Sequence, residues 1–354
     1  MREVDRLLAA LEGAKSLPIF AGFDGAVDEI YALIASRTAA GPERMGTIGE
    51  FAHRVASAAG RSTNIERILL ETRAGGNAAL CASALQALGH AVTLMANVGR
   101  PIASAFSGLV EGGACVHSLG EPNRTDALEF SDGKIMLTDS NPLAMSTAVG
   151  HFPTDLDPFF AGRQAIVLTN WTMMPRGTEI FSQIFQRHLP AIPRSVPIFF
   201  DIADPARRSA NEIIVLLNLL TQFAETHFVY LSVNLKELER MGGLWDDRPT
   251  GRADCAETMA KLYKRWPIEW ILHRLDGAES FGADGWHGAE GFFTAEPYTT
   301  TGGGDHFNGG FLFGLLAGLP RPLALRMGNA LSGAYVRSGR SPNRSELRKF
   351  LLTN

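Results

Sequence analysis

The strongest constraint on the fold is a regular alternation of short apolar runs with longer amphipathic segments. The apolar runs have the length and content of buried strands, and they are Pro18–Gly22, Ala91–Val98, Ala165–Thr169, Val196–Ile202, His227–Val233 and Trp270–Leu275. Between them, helical spacing recurs in Asn77–Leu88, Thr178–Arg187, Asn211–Phe223 and Asp254–Trp266. Strands that alternate with helices of this length predict an α/β fold with a doubly wound, mostly parallel sheet flanked by helices.

Two stretches depart from this alternation. The first, about residues 29–73, holds the helix-like segment Ile48–Ala59 between sequences that resemble extended chain. In the second, Thr125–Asp139, two alternating runs are joined by Ser131-Asp132-Gly133, and Asp-Gly between such runs predicts a hairpin. We therefore expect one domain over residues 1–354, with lid segments at about 29–73 and 115–140 that form a small β flap.

Charge and composition exclude several classes of protein. The chain has 33 Lys and Arg residues against 37 Asp and Glu residues, a net charge of −4, so it lacks the basic excess of a nucleic-acid binder. The longest apolar stretches, such as Phe311–Leu319, are too short to cross a membrane, and the N-terminal residues form no signal-peptide run. Three widely spaced cysteines form no disulfide framework. These features predict a cytoplasmic protein that binds neither nucleic acid nor a membrane.

The segment Thr299–Gly310 is the most specific chemical signal in the chain. Gly302, Gly303 and Gly304 allow a tight turn, and an apolar helix follows, so backbone N–H groups and the helix dipole favour an anion there. Asp305 follows these glycines directly, where a carboxylate can take a proton from a hydroxyl while the N–H groups hold a phosphoryl group. The alternative interpretation is a glycine-rich turn in which Asp305 is only the N-cap of the helix.

This segment resembles the second signature of the PfkB/ribokinase-like carbohydrate kinase family. The glycines before Asp305, the pair Gly309-Gly310 and the apolar pair Phe311-Leu312 match that signature. The family usually begins the motif with Asp, which in many relatives helps to hold a monovalent cation, whereas this chain has Thr299. The resemblance therefore implies Asp305 as general base and Gly302–Gly304 as the anion hole, with little dependence of the rate on potassium.

Further motifs of the same family follow in the expected order. Gly22–Asp28 resembles its first strand, which supplies a substrate-binding aspartate, here Asp28, and Gly75-Gly76-Asn77 resembles its substrate-binding di-glycine motif. Asn234 and Glu237 match its Asn-x-x-Glu motif, which positions magnesium and phosphates through water, with Glu237 on the metal side. The helix Met327–Val336, with Asn329, resembles the region that flanks the adenine. Asn234 and Glu237 also fit a helix capping box, and both roles can hold together.

Departures from the family pattern bear on the substrates. Leu80 stands where the family usually has an Asn that hydrogen-bonds sugar hydroxyls, and Ala26 stands where relatives that take ribose have Asn. We therefore expect a less polar acceptor pocket and disfavour a ribose kinase. His273–Gly277 replaces a Thr-x-Gly motif that contacts the nucleotide in many members, which leaves ATP, ADP and other donors open.

Together these patterns predict a magnesium-dependent kinase that transfers the γ-phosphoryl group of ATP to a hydroxyl of a sugar or sugar-like acceptor. The chain has no GxxxxGK[ST] loop, no GxSxG turn and no GxGxxG after its first strand. The alternatives are a nucleoside kinase of the same fold and a non-catalytic protein that senses a ligand. The resemblance also implies a homodimer in which two β flaps pair.

Overall fold

The computed structural model describes residues 2–139, 152–153, 155–245 and 252–354. Its strands are β1 (Pro18–Phe23), β2 (Ala26–Thr38), β3 (Gly41–Arg44), β4 (Glu66–Gly75), β5 (Ala91–Ala96), β6 (Cys115–Ser118), β7 (Asn123–Phe130), β8 (Gly133–Thr138), β9 (Ala165–Thr169), β10 (Ile198–Asp201), β11 (Val229–Asn234), β12 (Glu269–Arg274), β13 (Gly277–Gly282) and β14 (Gly285–Glu290). The strands that the apolar runs predict are all present, with small shifts of their ends.

The helices include each of the segments with helical spacing. They are α1 (Glu3–Gly13), α2 (Ile48–Ser57), α3 (Asn77–Ala87), α4 (Ser107–Glu111), α5 (Asp157–Phe160), α6 (Gly177–Gln183), α7 (Ala210–Ala224), α8 (Leu235–Gly242), α9 (Arg252–Arg265), α10 (Gly303–Leu316), α11 (Arg321–Ser338) and α12 (Arg344–Thr353). A π-helical turn, Ile184–His188, continues α6. Helix α10 begins at Gly303, within the glycine-rich segment, and not at the apolar residues that follow it.

The main sheet has nine strands in the order β14-β13-β12-β11-β10-β9-β1-β5-β6. The strands from β12 to β6 pair in parallel, and β13 and β14 add an antiparallel hairpin at one edge. Neighbouring residues of one strand enter opposite layers: Phe200 packs in the core that contains α7, and Phe199 packs in the core that contains α3 and α10. Burial on both faces explains why these strands are continuously apolar. The predicted doubly wound α/β fold is confirmed.

A second, five-stranded sheet corresponds to the predicted flap. β2 pairs with β4 and β3 in antiparallel and with β7 in parallel, and β7 and β8 form the predicted hairpin. The strands of this sheet come from residues 26–75 and 123–138, so the first segment begins slightly earlier than predicted. Cys115–Ser118, which the prediction assigned to the lid, is an edge strand of the main sheet because it pairs with β5. Residue 140, the last of the second predicted segment, lies outside the described residues.

The strand order determines where a ligand site can form. β1 has β5 on one side and β9 on the other, so the chain connections leave in opposite directions and open a crevice at the carboxyl ends of these strands. The N-termini of α3 and α10 and the second sheet lie at this end. Within the described residues, no helix is long and apolar enough to span a membrane.

Candidate active site

A cleft of about 1040 Å³ lies at the carboxyl ends of the main-sheet strands. Its lining brings together seven of the residues predicted from the sequence: Asn77, Asn234, Glu237, Gly303, Gly304, Asp305 and Asn329. Gly302 is not part of this lining, and Asp28, Gly75 and Gly76 lie outside it, on the side of the second sheet. Apart from Gly302, the predicted phosphate and nucleotide residues therefore share one cleft with Asn77, and the other predicted acceptor residues lie beside it.

Gly302 is the N-cap of α10 and has a positive φ of 86°. A Cβ atom at this position would lie 2.8 Å from the Tyr335 hydroxyl, so both the conformation and the space require glycine. The first N–H groups of the helix have no partner within the helix. Because Gly302 is the N-cap, the alternative interpretation of Asp305 as the N-cap is wrong, and Asp305 lies in the first turn instead.

Asp305 is buried, with 8% of its surface exposed. Its Oδ1 atom has no hydrogen-bond partner among the described residues. Burial, followed by the negative charges of Asp201 and Asp24, raises the pKa of Asp305 well above its usual range, while the Asn77 side chain opposes this shift. A buried carboxylate that has one oxygen without a partner and lies near like charges binds a proton strongly, which is the property required of a general base.

Asp24 is a site residue that the motif analysis missed. Its carboxylate accepts hydrogen bonds from the backbone N–H groups of Asn77 (2.7 Å) and Ala78 (2.9 Å), at the start of α3. It also accepts from the hydroxyl of Thr169 (2.7 Å), the last residue of β9, and from the amide of Asn170 (2.8 Å), which follows it. Asp24 therefore joins α3 to the ends of β1 and β9. The available sequence signal is an aspartate directly after an apolar strand.

The di-glycine motif forms the turn from β4 into α3. Gly76 has a φ of 91°, and a Cβ atom there would lie 2.8 Å from the Gly25 Cα atom. At Gly75, a Cβ atom would lie 2.6 Å from the carboxylate of Asp28, so the carboxylate lies directly against the backbone. The two glycines thus let the second sheet and α3 approach each other closely around Asp28.

Asp28 lies within β2, opposite Arg73 of β4 and beside Thr125 of β7. Burial raises the pKa of Asp28 to about 6, against the positive charges of Arg73 and Lys134 and a hydrogen bond from Thr125. This row of polar side chains crosses one face of the second sheet. The arrangement gives that face both acceptors and donors for hydroxyl groups.

Asn234 and Glu237 form the predicted capping box at the start of α8. The Glu237 N–H donates to Asn234 Oδ1 (3.0 Å), and the Asn234 N–H donates to Glu237 Oε2 (2.9 Å). Burial, followed by the negative charge of Asp201, raises the pKa of Glu237 to about 8.

Asp201, at the end of β10, is the second residue that the motif analysis missed. Its carboxylate accepts from Asn308 Nδ2 (2.7 Å) and from the Ala203 N–H (3.0 Å), and burial raises its pKa to about 6. Asp201 and Glu237 line the same cleft as neighbouring buried carboxylates. Two such oxygen donors repel each other without a cation and suit a magnesium ion, so the donor set fits the metal that the sequence implies.

Asn329 lies in α11 and lines the cleft, but its amide is already engaged. Its Nδ2 atom donates to the carbonyl groups of Ala289 (3.2 Å) and Glu290 (2.9 Å), which joins α11 to β14. Apolar and partly exposed side chains line the cleft nearby: Leu275, Phe292, Phe293 and Val336. This part of the cleft offers flat apolar surface for an aromatic ring.

Comparisons with known proteins identify the family to which the chain belongs. Residues 5–353 match the family model described as prokaryotic ketohexokinase. The chain belongs to the prokaryotic ketohexokinase family. It is therefore a carbohydrate kinase of the PfkB/ribokinase-like type, as the sequence motifs predict.

Members and relatives of this ketohexokinase family match the chain over different lengths. A ketohexokinase of Haloferax volcanii is 28% identical over 344 residues, which are 93% of this chain and 89% of that protein. A 5-dehydro-2-deoxygluconokinase of Bacillus thuringiensis is 26% identical over 57% of this chain and 60% of its own length. The structure of a Cryptococcus neoformans ribokinase in complex with ADP aligns with a TM-score of 0.66 and 18% identity, covering 95% of this chain and 99% of that one. The last likeness shows the ribokinase fold.

Proposed function

We propose that this carbohydrate kinase transfers the γ-phosphoryl group of ATP to a hydroxyl of a ketohexose, with magnesium. The observation that carries the proposal is the buried Asp305, with an unpartnered Oδ1 atom, in the first turn of α10 directly after Gly302–Gly304. This combination places a proton acceptor beside N–H groups that can hold an anion. The match to a ketohexokinase family over nearly the whole chain supports a ketohexose as the acceptor.

In the proposed reaction, Asp305 accepts the proton of the attacking hydroxyl. The N–H groups at the start of α10, from Gly303 to Asp305, hold the transferring phosphoryl group, and Gly302 gives the turn that aims them. Asp28 accepts hydrogen bonds from other hydroxyls of the sugar, beside the turn Gly75-Gly76-Asn77, which lies directly against the Asp28 carboxylate. These contacts would hold the attacking oxygen in line with the phosphate.

Glu237 and Asp201 would hold magnesium, in part through water, and Asn234 would orient the phosphates beside it. The metal would supply neutralisation of the phosphate charge. On the other side of the cleft, Asn329 and its apolar neighbours would bind the adenosine, with the Asn329 amide holding α11 in place.

The acceptor pocket favours a neutral sugar over a sugar acid. Arg73 and Lys134 approach Asp28, but each already donates to a threonine of the glycine-rich segment, Arg73 to Thr299 and Lys134 to Thr301. Neither cation is therefore fully available for a carboxylate of the acceptor. Leu80 is buried at the position where the family usually has an Asn, so the wall formed by α3 has one partner fewer for sugar hydroxyls.

The proposal is tested by a panel of acceptors at fixed magnesium and ATP. ADP formation is measured with D-fructose, D-tagatose, D-ribose, adenosine and 5-dehydro-2-deoxygluconate. We expect the kcat/KM of a ketohexose to exceed that of ribose and adenosine by about tenfold or more, because a pocket discriminates through paired hydroxyls. The highest value for adenosine would favour a nucleoside kinase, and no turnover of any acceptor would contradict the proposal.

We also propose that two copies of the chain associate through their second sheets. Ile68, Leu69 and Leu70 of β4 are partly exposed, as are Met136 and Leu137 of β8. Within the described residues, β4 and β8 each pair on one side only, so each leaves an edge that a second copy can pair with.

A further inference from the structure

The beginning of the glycine-rich segment is held by a cation of the second sheet. Thr299 is buried, and its hydroxyl accepts a hydrogen bond of 3.0 Å from Arg73 Nη1. Arg73 belongs to β4 and is itself mostly buried, and its Nη2 atom donates to Glu71 at 2.9 Å. A guanidinium of the flap therefore binds Thr299, the residue that stands where the family signature usually has an aspartate.

A second cation holds the same segment from the other side of the flap. Lys134, in β8, donates from Nζ to the hydroxyl of Thr301. β4 and β8 are separated in the sheet by β2 and β7, so the two contacts come from opposite edges of the flap. The segment that leads into the anion hole is thus fixed at two points, two residues apart.

The other contacts of this segment are uncharged. The Tyr335 hydroxyl donates to the Thr301 carbonyl at 3.0 Å, and the Thr299 N–H donates to the Val336 carbonyl at 3.2 Å. His306 contacts the Gly302 carbonyl through Nδ1 at 2.7 Å, and burial lowers its pKa to about 4, so this ring is neutral. Among the contacts described for residues 299–304, Arg73 and Lys134 supply the positive charge.

A monovalent cation at Thr299 does not fit this arrangement. A neutral hydroxyl binds such an ion weakly, and here the hydroxyl oxygen already accepts from a guanidinium. An ion at the same oxygen would lie a few ångströms from a like charge that is mostly shielded from water, where repulsion is strong. The residues present therefore do not fit the monovalent-cation site that many relatives have at this position.

We infer that Arg73 and Lys134 are positioning residues that hold the anion-hole segment in this chain, in place of a monovalent cation. The expected effect of these residues on the rate of phosphoryl transfer rests on the proposed function. Because both residues belong to the flap, the same sheet that presents Asp28 to the acceptor also fixes the segment that leads into the anion hole. Phosphoryl transfer then depends on the position of the flap and not on potassium.

The test compares the wild type with Arg73→Ala, Arg73→Lys and the double variant Arg73→Ala/Thr299→Asp. The matched control is Arg124→Ala, an exposed flap arginine whose ion-pair partner is Glu29. Each protein is melted in sodium, potassium and tetramethylammonium chloride at equal ionic strength. The kcat and the KM of ATP are measured in the same salts, and again with added guanidinium ion.

We expect the wild type and the control to melt at the same temperature in all three salts, with rates that differ by less than about threefold. Arg73→Ala should lose about tenfold or more of kcat with little change in the KM of ATP, and guanidinium should restore part of the rate. Arg73→Lys should stay insensitive to potassium. The double variant should gain melting temperature in potassium over tetramethylammonium, because a carboxylate without its guanidinium neighbour can bind the ion.

A tenfold or larger potassium stimulation of the wild type, or a potassium-specific rise of its melting temperature, would overturn the inference. A normal kcat of Arg73→Ala that does not respond to guanidinium would also overturn it. The melting experiments need no acceptor. If no sugar is phosphorylated, the proposed function fails, whereas the inference about the cation site still stands or falls on the melting temperatures.

Discussion

Four carboxyl groups meet at the carboxyl ends of the main-sheet strands: Asp24, Asp201, Glu237 and Asp305. Asp24 accepts four hydrogen bonds and acts as the cap of α3, whereas Asp305 has an oxygen without a partner among the described residues. The same kind of side chain therefore has different roles because the neighbouring donors differ. We assign the structural role to Asp24 and the chemical role to Asp305.

The raised pKa of Asp305 predicts where its carboxyl group titrates. Asp305 must be ionised to accept a proton, so activity should fall as pH decreases through a value well above the ordinary aspartate range. Carbon-13 NMR titration of the free protein gives this value, with Asp305→Asn to assign the resonance. Asp201→Asn removes a neighbouring negative charge, so it should move the titration of Asp305 to lower pH. A carboxyl that titrates near pH 4 in both proteins would contradict this account.

Local sequence motifs predicted those site residues that interact mainly with residues close to them in the sequence. Gly302–Asp305 and Asn234 with Glu237 belong to helix starts, where spacing along the chain fixes the geometry. The sequence motifs did not identify Asp24 and Asp201 as site residues because their roles depend on strand order, which brings the ends of β1 and β10 to one site. Such long-range pairing leaves no local pattern beyond an aspartate at the end of an apolar strand.

At the scale of elements, the second sheet links the proposed acceptor residue Asp28 to the segment that leads into the proposed anion hole. The sequence predicted its hairpin because Asp132-Gly133 joins two alternating runs. It did not predict that Cys115–Ser118 belongs to the main sheet, since that assignment depends on pairing with β5. The flap is therefore smaller than predicted in its second segment and slightly larger in its first.

The hairpin of β7 and β8 should become more protected when an acceptor binds. Thr125 and Lys134, which belong to this hairpin, lie near Asp28, the proposed acceptor-binding residue. A sugar bound at Asp28 should therefore hold the hairpin closed. Hydrogen exchange with and without a ketohexose measures the effect, with α12 as the internal control because it packs against α1 and α11, away from the flap. Equal exchange of the hairpin in both states would exclude a role as a lid.

At the scale of the whole molecule, the apolar edge of the flap predicts association. The chain has a mass of 38.2 kDa, and analytical ultracentrifugation should find a species of twice that mass. Leu69→Glu places a charge on the exposed surface of β4 and should shift the equilibrium toward the monomer. Val215→Glu, on the exposed face of α7, is the matched control and should leave it unchanged. A monomeric wild type, or equal association of all three proteins, would contradict association through the flap.

In the proposed mechanism, Asp305 accepts the proton of the sugar hydroxyl during phosphoryl transfer. The direct measurement is the turnover of Asp305→Asn with its best ketohexose acceptor, together with its affinity for magnesium and ATP. Asp5→Asn, in the first turn of α1, is the control. The substitution of aspartate by asparagine keeps the size of the side chain and removes its ability to accept the proton. We predict a fall in kcat of about 10²–10⁴ with little change in nucleotide affinity. A kcat of Asp305→Asn close to that of the wild type would contradict the account.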